Sequence, residues 1–246
     1  MIKIIICVTK FIVVALTALL FASCNFSNSL KSINGSGNVV TEKRDIQGSF
    51  ENVTVSNAID LVIEQSDKTE VTIEADDNLI KEITTKIEGN TLVIKCSYNS
   101  LRNIKSKKVI VKMPNINNIK ASSASTVKSI NVIRGEDINL DASSAADMNM
   151  NIESDAVTCE TSSASNIVIE GKALKLNASA SSGSGIDAKR MLANDIDAQA
   201  SSGASIHVHP ILSLKAKASS GGNVNYNSIP KSIEKKSSSG GSIDQE

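Results

Sequence analysis

Two histidines, His207 and His209, are the only imidazoles in the 246 residues, and Asp187 and Lys189 stand 20 residues before them. An imidazole beside a carboxylate binds a divalent cation or moves a proton near neutral pH. With Asn225, Asp187, His207 and His209 form a candidate exterior metal or proton-transfer patch. Two histidines and one acid are an incomplete ligand set, however, and the sequence favours exposed polar side chains on a solvated sheet face. The next candidates are seven Ser-Ser pairs: Ser122-Ser123, Ser143-Ser144, Ser162-Ser163, Ser181-Ser182, Ser201-Ser202, Ser219-Ser220 and Ser238-Ser239. Stacked hydroxyls offer a stripe to a polysaccharide; the competing reading makes them corner residues whose hydroxyls bond nearby backbone or one another. A serine nucleophile is not indicated, because no Gly-x-Ser-x-Gly elbow with a partner histidine occurs. Sugar cleavage needs two carboxylates at a set separation and aromatic platforms, whereas Asp141, Asp147, Asp187, Asp195 and Asp197 are scattered singly. Gly35-Ser36-Gly37 lacks the strand-to-helix setting of a phosphate loop. No catalytic residue and no cofactor are assigned.

What positions these residues is a repeat. Counted on the second serine, the pairs recur at 21, 19, 19, 20, 18 and 19 residues, a period that marks a solenoid. Two residues before that serine stand Ala121, Ala142, Thr161, Ala180, Ala200, Ala218 and Ser237; four after it stand Val127, Met148, Ile167, Ile186, Ile206, Val224 and Ile243. The position six before holds Asn117, Ile138, Val157, Leu176, Ile196, Leu214 and Ile233. Even offsets therefore face inward and odd offsets outward, so each unit is a strand, a Ser-Ser-Gly/Ala corner, a second strand and a loop. The expected fold is all-β: a single-stranded parallel β-helix with about seven regular rungs of 18–21 residues over 114–246, each strand pairing one rung away at about 4.8 Å. Lys235 and Ser237 at inward offsets make the last rung a polar cap.

Residues 35–113 show the same period-two alternation at Val53 and Val55, Ile59 to Ile63, Val71 and Ile73, Leu92 and Ile94, and Val109 to Met113. Turn signals separate them at Ser66-Asp67, Asp76-Asp77-Asn78, Glu88-Gly89-Asn90 and Asn99 to Ser106, and Asn78 to Thr85 has room for one helical turn. This stretch continues the solenoid or caps it. Gly35-Ser36-Gly37-Asn38-Val39, Ile59-Asp60-Leu61-Val62-Ile63-Glu64-Gln65 and Val71-Thr72-Ile73-Glu74-Ala75-Asp76, followed by the Ser-Ser-Gly/Ala units, resemble the head GIN domain family, described as putative auto-transporter adhesins. The resemblance covers about residues 35–245. It implies a right-handed parallel β-helix on an exported envelope lipoprotein with an adhesive role, and brings no catalytic residues.

Residues 1–23 match an export signal, with Lys3 and Lys10, an apolar core from Phe11 to Phe21, and Ala22-Ser23 before Cys24. Leu20-Phe21-Ala22-Ser23-Cys24 is similar to a lipobox, which makes Cys24 the lipidated first residue, residues 24–34 a polar tether, and the membrane a partner through the lipid. Cys96 and Cys159 sit in phase with inward apolar residues and are expected as buried free thiols, with a disulfide the alternative. Aromatics are 2% of the chain, with no Trp, so the core is built of Ile, Val, Leu and Ala in thin layers. Losing the leader leaves 24 basic against 26 acidic residues, a balance that does not suit nucleic acid. The expected function is a non-catalytic binding or adhesion module in the cell envelope, an outer-membrane lipoprotein presenting a rigid polar face to a glycan, a peptide or an envelope protein. The alternatives are a pectinase- or lyase-like carbohydrate-active enzyme and a structural envelope component without a ligand.

Overall fold

The computed structural model describes residues 10, 14 and 31–246. Cys24 and, apart from residues 10 and 14, the expected signal segment lie outside the described residues, as does the tether up to residue 30. No helix among the described residues is long and apolar enough to cross a membrane. Residues 32–246 form one compact unit.

Alternating apolar and polar residues produce strands throughout. The first half contains β1 (Ser32–Asn34), β2 (Val39–Arg44), β3 (Asn52–Val55), β4 (Asp60–Gln65), β5 (Glu70–Asp76), β6 (Ile83–Glu88), β7 (Thr91–Cys96), β8 (Ser100–Arg102) and β9 (Lys107–Met113). The room for one helical turn is taken by a 3-10 turn at Ile80–Glu82. The second half contains β10 (Asn118–Ala121), β11 (Thr126–Ser129), β12 (Ile133–Ala142), β13 (Asp147–Thr161), β14 (Asn166–Ala180), β15 (Gly185–Ala200), β16 (Ser205–Ala218), β17 (Asn223–Tyr226), β18 (Ser232–Ser237) and β19 (Ser242–Gln245). Strands β13 to β16 are long because each leaves a corner, rounds a bend, and runs back to the next corner as one extended stretch.

The stacked parallel coils form a solenoid of about seven regular turns, and its inward ladders are those of the repeat. Ala121, Ala142, Thr161, Ala180, Ala200, Ala218 and Ser237 are register partners in succession. So are Val127, Met148, Ile167, Ile186, Ile206, Val224 and Ile243. All but the last of each ladder are buried; full burial of a Val, Leu, Ile or Met here contributes about 2 kcal/mol. Asn117 departs from the pattern: it is exposed, and Ile116 turns into the core in its place.

The corners are set by backbone rather than by hydroxyl ladders. The second serine of each pair lies at φ 48 to 55° and the residue after it at φ 59 to 74°, so two left-handed residues in a row reverse the chain. The residue after the second serine donates its N–H to the second serine's carbonyl one coil on, as from Ala124 to Ser144, Ala164 to Ser182 and Gly203 to Ser220 at 3.0–3.2 Å. An eighth corner, Ser56-Asn57-Ala58, has the same conformation at φ 63 and 58° without a Ser-Ser pair.

Residues 35–113 both continue and cap the solenoid. Strands β3 and β4 are one more coil beneath β10 and β11, and β7 and β9 lie beneath them in parallel. Strand β5 then runs antiparallel on β9, β2 on β5, and β6 on β7, which ends the parallel stack. The Asn99–Ser106 turn region contains a short strand, β8, paired with β1. At the other end Lys235 donates to the Tyr226 hydroxyl at 2.8 Å, with its ammonium 4.6 Å from that ring's centre. Beside it Ile233 stays 41% exposed, so the last rung ends the core with polar groups.

Candidate functional site

The outward odd offsets of the strands after the corners make one sheet face. Its first row runs Thr126, Asp147, Asn166, Gly185, Ser205 and its second Lys128, Asn149, Val168, Asp187, His207, each in register with the next. Two adjoining depressions, of about 460 and 310 Å³, share Asn166 and Val168 and join these rows into one shallow trough. Its polar groups are held by their neighbours. Asp60 accepts from Lys107 at 2.7 Å and from the Thr126 hydroxyl at 2.8 Å, and Asn166 Nδ2 donates to Asp147 at 3.0 Å.

The candidate metal patch divides across this face. Asp187, His207 and Asn225 are successive register partners. His207 Nδ1 lies 2.7 Å from Glu246 Oε1 and Nε2 lies 3.2 Å from Ser205 Oγ. A carboxylate only accepts, so Nδ1 is the donor there, and in the neutral ring Nε2 accepts from the serine hydroxyl. His209 pairs not with Lys189 but with Leu192, because residues 189–191 form a bulge. Lys189 turns back to Asp187, its N–H 3.1 Å from the carboxylate. Among the described residues no group of three or more His, Cys, Asp or Glu is placed to hold a metal ion. The other single acids meet neighbours: Asp141 pairs with Lys120 at 3.3 Å, Asp195 accepts from Ser213 at 2.6 Å, and Asp197 from Gln199 at 3.1 Å.

The second serines are exposed along their edge. The hydroxyls at work inside belong to residues two further on: Ser165 Oγ donates to Ala142 O at 2.7 Å, and Ser184 Oγ lies 2.9 Å from Thr161 Oγ1. Cys96 and Cys159 are both free and buried, and burial pushes the Cys159 thiol up to about 12.

Two features were not visible in the residue pattern. One is a carboxylate knot at the N-terminal end. Asp76 is 0% exposed and accepts from the backbone N–H of Gly37 at 2.9 Å, Lys105 at 3.0 Å and Ser106 at 2.9 Å. Burial by itself raises its pKa; the three N–H donors outweigh burial and hold the carboxyl below its ordinary value. A Cβ on Gly35 would stand 2.5 Å from both Asp76 Oδ2 and Asn103 O, which explains one glycine of the Gly35-Ser36-Gly37 signature. Asp76 thus ties the chain entering β2 to the ends of β5 and β9.

The other feature is a groove of about 530 Å³ at the bend, on the edge opposite the serine corners. One wall is the register row Arg134, Glu153, Lys172, Leu192, and the other contains Asp155, Leu174, Asn194 and Ile211. Gly135, Ser154 and Ala173 line it between the walls. Leu174 is 57% exposed, Leu192 39% and Ile211 41%, an apolar strip on a chain whose other outward rows are mostly polar. The pattern concealed it because the two-residue phase slips at the bend: there the even offsets face outward, as at Lys172, Leu174 and Leu192, while Ala173 and Ala193 between them are buried. Arg134, Glu153, Lys172 and Leu192 each stand ten residues before the next second serine, and Asp155, Leu174 and Asn194 each eight before it.

Residues 49–230 match the family described as "Putative auto-transporter adhesin, head GIN domain". The chain belongs to this family. Solved structures share its coil. A putative adhesin from Bacteroides fragilis superposes with a TM-score of 0.80 at 18% identity, over 87% of this chain and 100% of that one. A putative lipid binding protein from Parabacteroides distasonis gives 0.71 at 20% identity, over 88% and 100%, and a putative adhesin from Parabacteroides merdae 0.69 at 19%, over 88% and 99%. At such identities the likeness establishes the fold alone. No curated protein matches the sequence. Family membership supports a binding or adhesion role at the envelope or cell surface.

Proposed function

We propose that this chain is a non-catalytic binding module of the cell envelope, tethered by a lipid on Cys24, that lays its polar sheet face against a glycan. The observation behind this reading is the trough over β4, β11, β13, β14, β15 and β16, where amide, hydroxyl and carboxylate groups recur at the rung spacing of about 4.8 Å. A rigid ladder loses little conformational entropy on binding, so modest hydrogen bonds to an extended ligand add up across coils. Family membership fits the reading, and the scattered, individually partnered acids favour binding over the sugar-cleaving alternative.

The test is a glycan array probed with the purified protein, followed by titration of any hit against Asn149→Ala and Asp187→Ala, each expected to weaken binding about fivefold or more. An empty array together with an empty envelope pull-down would instead support a structural component without a ligand, and release of new sugar ends from an envelope glycan would establish the enzyme. Membrane fractionation of Cys24→Ala examines the tether: the variant should move to the soluble fraction. A second reading, an apolar ligand, is favoured by the groove at the bend and accords with the name of the Parabacteroides distasonis protein.

A further inference from the structure

Resting on that second reading, we infer that the groove binds one single-chain amphiphile with a zwitterionic head, its head beside Lys172 and Asp155 and its tail along Leu174, Leu192 and Ile211. Three observations converge on this ligand. The groove crosses five coils, roughly 19 Å at about 4.8 Å per coil, yet holds only about 530 Å³. A shallow trench of that length accommodates one extended chain lying along the stack. Its polarity is graded: Arg134, Glu153, Asp155 and Lys172 gather at the end nearer the N-terminus, and Leu174, Leu192 and Ile211 toward the other. Such a gradient selects an amphiphile with a fixed direction.

The charges select the head. Arg134 and Glu153 neutralise one another, with the guanidinium 3.0 and 3.1 Å from Glu153 Oε2. Among the described residues neither Lys172 nor Asp155 makes an ion pair. What remains is one cation and one anion on opposite walls, so a head with both a phosphate and an ammonium satisfies both, while a simple carboxylate meets Lys172 but is repelled by Asp155. Removing the exposed leucine and isoleucine surfaces from water drives tail binding.

The experiment titrates the purified protein, by calorimetry below the micelle concentrations, with three dodecyl probes: lysophosphatidylethanolamine, laurate and dodecanol. The expected order of affinity is lysophosphatidylethanolamine, then dodecanol or laurate, with up to about a fourfold gain per added methylene in the lysophosphatidylethanolamine tail until the chain passes Ile211. Leu174→Asp, at an exposed site, should lower the affinity for all three more than tenfold while leaving circular dichroism and thermal unfolding unchanged. Lys172→Ala should remove the preference for the zwitterionic head, and Asp155→Asn should raise laurate affinity selectively. If no dodecyl probe binds, the apolar-ligand reading and this inference fall together. If all three bind equally and Leu174→Asp weakens them equally, the apolar reading stands and the zwitterionic assignment is overturned. Binding to lipid vesicles but to none of the monomeric probes would overturn the groove as the site.

Discussion

Asp76→Asn tests the N-terminal knot with the smallest change in shape. The carboxylate accepts three backbone N–H groups, two on Oδ1 from Lys105 and Ser106 and one on Oδ2 from Gly37. An asparagine has one acceptor oxygen. Placed toward Lys105 and Ser106, that oxygen leaves the new NH₂ against the Gly37 N–H, so one charge-assisted bond is lost and a buried donor faces a donor. The combined cost is about 3 kcal/mol, and equilibrium urea unfolding should show the midpoint fall by roughly 1 M or more. The same substitution should alter the acid limb. Because the folded-state carboxyl titrates below its unfolded value of about 3.9, the unfolded state binds more protons in that range. The Asp76 contribution is therefore complete above the unfolded value and disappears as pH falls through the folded one. Stability of Asp76→Asn should accordingly vary less between about pH 4 and pH 2 than that of the wild type. The reasoning is refuted if the variant unfolds within 0.5 kcal/mol of the wild type (roughly the spread of neutral surface changes) or keeps the full acid slope.

Other outcomes follow from the coils. A Cβ on Gly203 meets nothing within 4 Å, so at φ 72° Gly203→Ala costs backbone strain alone, about 1 kcal/mol. A Cβ on Gly222 stands 2.6 Å from the backbone carbon and oxygen of Ala200, and Gly222→Ala should cost about 3 kcal/mol; equal urea midpoints for the two variants would contradict this account. Lys235→Val restores an apolar residue on the open edge of the last rung, and sedimentation should show more self-association than in the wild type; unchanged sedimentation would remove the edge-blocking role. Cys159, with its thiol near 12, should resist iodoacetamide at pH 8 in the native protein and label after denaturation, as read by peptide mass; rapid native labelling would disprove its burial.

The residue pattern by itself determined the coil. A two-residue side-chain period combined with a repeat of 18–21 residues admits parallel stacking and little else, and the inward ladders ending in Ser237 and Ile243 are in register as the alignment requires. The free, buried Cys159 and the polar last rung at Lys235 come from the same phase argument. Tertiary structure decided what phase cannot encode. Ser56-Asn57-Ala58 became a corner through its left-handed backbone, and the order of β7 and β9 beneath β3 and β4 depended on strands far apart in sequence. His207 found Glu246 39 residues away, and Asp76 found Lys105 and Ser106 about 30 away. The groove belongs to this second group. Its walls are bend residues at even offsets that the alternation would turn inward, and only the folded chain shows the phase slip that leaves Lys172, Leu174 and Leu192 exposed on one edge with Ile211. Periodic burial is a local property written into every strand, whereas a surface site depends on which irregular residues the stack happens to align.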